Sequence, residues 1–218
     1  PESVANKIKN ASENTTFRSN IGLAWRTPNM AELYSFGQNS FKTVFGLLRY
    51  YSDETGKLKT DRVIPLDDSG VLPEKGYKWI NELQAKYKSN TFTITAYSHY
   101  IENYIFERPI AVIGTIRGPM PVFIVEQADA FFIGSDFTWQ NNWSDSWNGT
   151  LGASYLWSQN LSKNEALINQ PPITASYKIN WEMKRFLKLE SSQLSVRPSY
   201  TFSQFNAPRT VTPTELID

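Results

Sequence analysis

The sequence predicts an all-β chain, an antiparallel up-and-down meander forming part of a transmembrane β-barrel of the outer-membrane kind. Three observations carry that prediction. Hydropathy alternates with period two in segment after segment, connections alternate between short and long, and aromatic rings gather at the two ends of apolar strand faces.

Composition frames these observations. The 218 residues carry 22 basic and 21 acidic side chains, a net charge of +1. A nucleic-acid binder usually shows a visible basic excess, so that partner class is set aside. There is no cysteine, which excludes a disulfide framework and thiolate chemistry. Aromatic residues make up 14% of the chain, seven of them Trp, yet mean hydropathy is −0.42. A membrane helix needs roughly 20 apolar residues in a row, and no such run occurs. A membrane strand alternates apolar with polar residues, so it averages to this kind of value.

The alternation is clearest in four segments. Tyr77, Trp79, Leu83, Ala85 and Tyr87 share a face against Lys78, Glu82, Gln84 and Lys86, with Ile80 the exception. Trp147, Gly149, Leu151, Ala153, Tyr155 and Trp157 stand against Asn148, Thr150, Gly152 and Ser154. Ile173 to Trp181 and Leu194 to Phe202 repeat the pattern. Phe17 to Trp25, Phe92 to Tyr100 and the long stretch Val122 to Gln140 complete about seven strands. Bacterial single-chain barrels close with an even strand number, so the barrel is expected to continue beyond this chain. The start at Pro1 and the polar stop at Asp218 suggest the same, one partial barrel segment over 1–218.

Connections fall into two classes. Lys88-Ser89-Asn90 and Asn141 to Ser146 are short, and Lys184 to Glu190 is moderate. Between them come long polar or Pro/Gly-bearing stretches, about 26–76, 107–121, 159–172 and 204–218. Short turns on one side and long loops on the other are the rhythm of an outer-membrane meander. A Greek-key sandwich has no reason to keep it. In Tyr77–Tyr87 and Trp147–Trp157 the large rings flank Leu83 and Ala85, or Leu151 and Ala153. Ring ends with an aliphatic middle suit two interfacial girdles around a hydrocarbon band.

A set of motifs adds a resemblance. Arg26-Thr27-Pro28-Asn29-Met30-Ala31-Glu32-Leu33-Tyr34 follows the first strand, with Gly37 close behind. Asp67-Asp68-Ser69-Gly70-Val71-Leu72-Pro73-Glu74-Lys75 opens the next strand. Glu102-Asn103-Tyr104-Ile105-Phe106, Gln127-Ala128-Asp129-Ala130-Phe131-Phe132-Ile133-Gly134 and Pro171-Pro172 come later, in that order. The series resembles the C-terminal part of the barrel of TonB-dependent receptors. It departs from the family in 39–64, which is Phe-, Tyr- and Lys-bearing where many members are His- and Gly-rich. The resemblance implies a parent receptor with a plug domain, contact with outer-membrane lipid, energy from the TonB complex, and a cargo such as an iron chelate, cobalamin or a glycan. It marks Arg26, Pro28, Asn29, Glu32, Tyr34, Pro73 and Glu74 as motif residues of structural use. Read on its own chemistry, Pro28 stiffens the backbone and Asn29 can cap one helical turn, Met30 to Phe36, ended by Gly37.

Catalytic chemistry finds little footing. His99 is the sole histidine, on a face with Thr93, Thr95 and Tyr97, so neither a nucleophilic triad nor a zinc site is expected. Glu126 and Asp129 fall on opposite faces of one strand, and the acidic loop Asp53 to Asp68 fits no calcium-loop spacing. The chain is read as no enzyme and as holding no metal or cofactor. Arg49, Tyr50, Tyr51, Lys57, Lys59 and Arg62 in the first long loop are the candidates for meeting an anionic cargo. The competing expectation is a soluble carbohydrate-binding β-sandwich that stacks sugars on exposed Trp and Tyr.

Overall fold

The structure is a computed structural model that describes residues 2–12, 14–38, 41–52, 57–116, 118–183 and 192–207, with 2–12, 50–52 and 57–62 as backbone alone. Its strands are β1 (Glu2–Ser12), β2 (Thr15–Arg26), β3 (Phe36–Gln38), β4 (Thr43–Phe45), β5 (Arg49–Ser52), β6 (Lys57–Val63) and β7 (Glu74–Tyr87). Then come β8 (Asn90–Thr115), β9 (Gly118–Ser144), β10 (Trp147–Asn160), β11 (Thr174–Met183), β12 (Ser192–Val196) and β13 (Ser199–Thr201). One helix, α1, spans Met30–Tyr34.

The wall is a single antiparallel meander in the order β1-β2-β7-β8-β9-β10-β11-β12. Each long strand pairs with the long strand before and after it, as period-two alternation with short turns requires. The turns are held at one end. Lys86 N donates to Asn14 O at 2.8 Å, Asn142 N to Ser89 O at 3.0 Å, and Glu182 N to Ser146 O at 2.8 Å. So Lys88-Ser89-Asn90 and Asn141–Ser146 share one rim, and the long 26–76 connection leaves from the other. Among the described residues no second sheet packs on this one; only the small β5–β6 pair stands apart. A sandwich is thereby overturned.

Register sorts the faces. Phe17, Leu83, Ile94, Phe137, Ala153 and Ala175 form one row across six strands. On the opposite face Arg18, Glu82, Thr95, Asp136, Ser154 and Thr174 form another. The first face is open: Trp79 is 52% exposed, Leu83 43%, Ile94 47% and Ile133 45%. An apolar sheet face left this bare needs a nonaqueous cover. The second face is hydrophilic and partly self-paired, with Ser154 Oγ donating to Asp136 Oδ1 at 2.5 Å and Arg18 ion-paired to Glu82. Two glycines let rings lie flat on that side. A Cβ at Gly134 would sit 2.4 Å from the Tyr97 ring, and one at Gly76 2.7 Å from His99 Nε2.

The structure departs from the sequence reading in four places. An eighth wall strand, β1, precedes Phe17; its residues, Asn6, Lys7, Lys9 and Asn10 among them, are too polar for the alternation to stand out. The 107–121 connection is no loop. Strands β8 and β9 run on as a hairpin, through Ile110, Val112, Ile113 and Val122, as far as the Thr115–Gly118 pair. Prolines argued against strand there, and the hairpin absorbs Pro109 at a register shift between Pro109 and Ala111. Leu194 to Phe202 is broken into β12 and β13 at Arg197-Pro198, because Pro198 has no amide hydrogen to donate; its carbonyl still accepts from Tyr177 N at 3.0 Å. Helix α1 stops at Tyr34 with Ser35 as C-cap, and Gly37 at φ +133° lies within β3 instead of ending the helix. The Lys184–Glu190 turn and 208–218 lie outside the described residues.

The packed core is not in the wall. Leu33, Leu48, Ile105, Met120, Val122, Phe123, Ile124 and Val125 are all buried, and all belong to the long-loop end.

Candidate functional site

At that end the sequence motifs converge. Arg26 closes β2, and its guanidinium donates from Nη1 to Glu32 Oε2 at 2.9 Å while its Nε pairs with Glu74. Asn29 and Glu32 make a reciprocal cap on α1, Asn29 N donating to Glu32 Oε2 at 2.8 Å and Glu32 N to Asn29 Oδ1 at 2.9 Å. Burial opposes charge on Glu32, but the hydrogen bonds from Arg26 and from the Asn29 backbone outweigh it and hold its carboxyl below the usual carboxylate range. Glu74, 7% exposed, also accepts from Ile105 N at 2.6 Å.

The second half of the knot is built on a kink in β8. Register shifts between Ile101 and Tyr104, and Asn103 there takes φ +55°, a left-handed conformation that Asn tolerates better than most residues. Asn103 Nδ2 donates to Pro73 O at 3.2 Å and its N to Asp129 Oδ1 at 3.1 Å. Gln127 then clasps the incoming strand: Leu72 N donates to its Oε1 at 3.1 Å, and its Nε2 donates to Leu72 O at 2.6 Å and Asn103 O at 3.1 Å. Residues of all four motifs from 26 to 134 are therefore joined by hydrogen bonds or ion pairs within one rim. The fifth motif, Pro171-Pro172, stands apart from this set.

Above the knot the first long connection folds into a cap. Gly46, Leu47 and Leu48 donate their amides to Ser35, Glu32 and Leu33 carbonyls at 2.8–3.0 Å, and β4 adds in parallel to β9 through Thr43–Val122 and Phe45–Ile124. Lys42 pairs with Glu107 on the hairpin. Leu48, fully buried, seats the cap.

Of the six candidates for meeting cargo, Arg49 packs against the base of the cap. Its Nη2 donates to Tyr34 O at 3.2 Å and its guanidinium lies 4.6 Å over the Phe36 ring. Tyr50 and Tyr51 follow it on β5, and Lys57, Lys59 and Arg62 stand on β6, with Tyr51 opposite Leu58. The side chains of those five are outside the described set. Among the motif residues, Pro28 precedes α1 and Tyr34 ends it.

Sequence reading missed a charged cluster on the inner face. Arg108 holds Glu126 through two hydrogen bonds at 2.7 and 2.8 Å, and Lys163 Nζ donates to the same carboxylate at 2.8 Å. Burial of Glu126 disfavours its charge, yet the two cations prevail and lower its pKa. The signal was the proline-rich 107–121, dismissed as loop. Beside it, Phe106, Arg108, Asn160 and Leu167 help line a cavity of about 20 Å³, room for one water. His99 lies on the inner face beside Phe132, ring centroids 6.1 Å apart.

No protein-family model and no curated protein matches the chain. Solved structures do. A copper transporter, OprC, superposes with a TM-score of 0.57 at 19% identity over 81% of this chain and 23% of that one. A mutant of the ferric enterobactin receptor PfeA from Pseudomonas aeruginosa gives 0.55 at 16% identity, over 88% and 26%. The siderophore receptor PirA from Pseudomonas aeruginosa gives 0.52 at 16% identity, over 89% and 33%. These proteins are TonB-dependent receptors. The chain thus has the fold of part of the barrel of a TonB-dependent outer-membrane receptor, and it spans about a quarter to a third of the length of the structures it matches.

Proposed function

We propose that this chain is a wall-and-cap segment of a TonB-dependent receptor in the bacterial outer membrane, and that the parent protein imports a metal chelate, an iron siderophore foremost. The observation that supports it best is the meander itself, with short turns at one rim, a folded cap at the other and a bare apolar face between. A ferric enterobactin receptor, a siderophore receptor and a copper transporter share that fold at low identity. Cobalamin and a glycan are the other cargoes considered for the family. In this reading the plug fills the hydrophilic inner face and connects the parent to the TonB complex.

The cap would present Tyr50, Tyr51, Lys57, Lys59 and Arg62 to an anionic chelate, while Arg49 serves to hold β5 against Phe36. The test uses the full-length parent in its own bacterium. Changing Lys57, Lys59 and Arg62 together to Gln should cut uptake of radioiron supplied as a ferric catecholate while leaving the amount of folded receptor unchanged. Unchanged iron uptake combined with loss of cobalamin or glycan uptake would overturn the chelate assignment.

A further inference from the structure

The chain that leaves β10 returns along the inner face of the wall as a strap, 161–168. Leu161 N donates to Asp129 O at 2.8 Å, and Asn160 and Glu165 exchange backbone hydrogen bonds, Asn160 N to Glu165 O at 2.8 Å and Glu165 N to Asn160 O at 3.3 Å. Lys163 Nζ reaches Glu126, and Leu167 is buried. The strap does not close fully on β8. Phe106 and Arg108 on β8, with Asn160, Glu165, Ala166 and Leu167, help line the cavity of about 20 Å³ left between them. Asn160 is 1% exposed. Its Oδ1 accepts from Lys163 N at 3.0 Å, but its Nδ2, buried with it, has no hydrogen-bond partner among the described residues.

An N–H buried without an acceptor loses its hydration with nothing in return, and the cavity beside Asn160 is where an acceptor can sit. We propose that this cavity binds one water molecule, which accepts from Asn160 Nδ2 and fastens the strap to the wall. The chemistry selects that occupant. The orphaned atom is a donor, so a metal cation is the wrong partner. An anion would accept the bond, but Glu165 lines the same cavity and opposes negative charge there. Arg108, the cation beside it, is already committed to Glu126 through two hydrogen bonds. Water carries no charge, and it both accepts and donates, so it takes the Asn160 bond and has hydrogens left for Glu165 or a strap carbonyl. The volume also suits it, since about 10–15 Å³ is enough for one water. The strap is thereby a fixed lining of the inner face, whatever cargo the parent imports.

The experiment uses the full-length parent, first without any substitution. Crystals grown with bromide as the only halide should show a water peak about 3 Å from Asn160 Nδ2 and no bromine anomalous signal there. An unfilled cavity, or bromide within it, overturns the proposal. Ala166→Val then tests the fastening in solution, by hydrogen exchange at the Glu165 amide. With water in the cavity, the added methyl groups expel it and strand the Asn160 donor, so exchange should quicken about tenfold. In a dry cavity the same groups fill empty space, and exchange slows. Overpacking is told apart by repeating Ala166→Val on Asn160→Leu, which has no donor to strand. The quickening should vanish in that background. Exchange that slows or stays unchanged in Ala166→Val, or that quickens equally in both backgrounds, overturns the proposal. Heat-modifiable gel mobility confirms that each variant is a folded barrel before exchange is read, and the crystallographic result decides alone where a variant does not fold.

Discussion

Glu74 shows what a single residue does at the rim. Its carboxylate is nearly buried, takes the Ile105 amide at 2.6 Å and pairs with Arg26, so it ties β2, β7 and β8 at the point where the chain leaves the wall. Removing it strands the Ile105 amide and takes away one of the two carboxylates that hold the Arg26 guanidinium. Glu74→Ala should cost about 1.5–3 kcal/mol, the worth of hydrogen bonds to a charged group. Glu102→Ala removes a partner 4.0 Å from Lys75, both side chains over a third exposed, and should cost about 1 kcal/mol or less. Urea unfolding of the full-length parent in lipid vesicles ranks the two. Glu32 adds a pH dependence. Its pKa is depressed in the folded state, so the stability it contributes is present above the ordinary glutamate value of 4.5 and is lost as pH falls through the lower, folded value. Glu126 is depressed in the same direction, so the Arg108–Lys163 cluster should likewise loosen on acidification. Hydrogen-exchange protection of the Leu47 and Leu48 amides, which donate to Glu32 and Leu33, should hold from neutral pH down to that value and fall below it. Protection that rises on acidification would contradict the assignment.

At the scale of elements, the wall was legible in the sequence and the rim only in part. A wall strand meets one apolar and one aqueous surrounding, so Trp147 to Trp157 must alternate, and their faces can be read directly. The rim strands are packed on both sides. Val122, Phe123, Ile124 and Val125 are consecutive and all buried, which erases period two and leaves only proline as a cue. The β4 strand is three residues long and is held between β3 and β9, its β9 partners 79 positions away, so the local pattern alone does not announce it. Arg49 lies over the Phe36 ring thirteen residues upstream, a contact that no local sequence signal announces. Convergence of the motif stretches was hidden as well, since each looks like a loop base by itself. The kink in β8 is the element that brings them together. Asn103→Val should destabilise the parent by roughly 1–2 kcal/mol from the left-handed backbone alone, plus the lost bond to Pro73. Asn103→Gly keeps the backbone and should lose only the bond. Equal effects of the two substitutions, read by the same urea titration, would show that the kink carries no conformational demand.

The usual arrangement of a soluble domain is inverted: the buried core lies at the long-loop end, between the cap and the ends of β8 and β9, and the wall has polar residues on the inside and Trp, Leu and Ile outside. Among the described residues the sheet ends at β1 on one side and at β12 and β13 on the other, with open edges and an uncovered apolar face. Both promote association. The isolated segment should need detergent, a partner chain or self-association, and a stable monomer in plain buffer by light scattering would count against the account. The central claim is that the face bearing Trp147, Leu151 and Trp157 meets hydrocarbon while its alternate meets water. Leu151 lies between those ring ends, in register with Trp139 and Tyr177, whereas Thr150 pairs with Gln140 and Lys178 on the inner face. Reversible unfolding of the full-length parent in lipid vesicles, comparing Leu151→Lys with Thr150→Lys, measures that difference directly. Leu151→Lys should destabilise the barrel by about 2–4 kcal/mol and Thr150→Lys by much less. If Thr150→Lys is instead the more damaging of the two, the faces are inverted and the membrane-wall account is wrong.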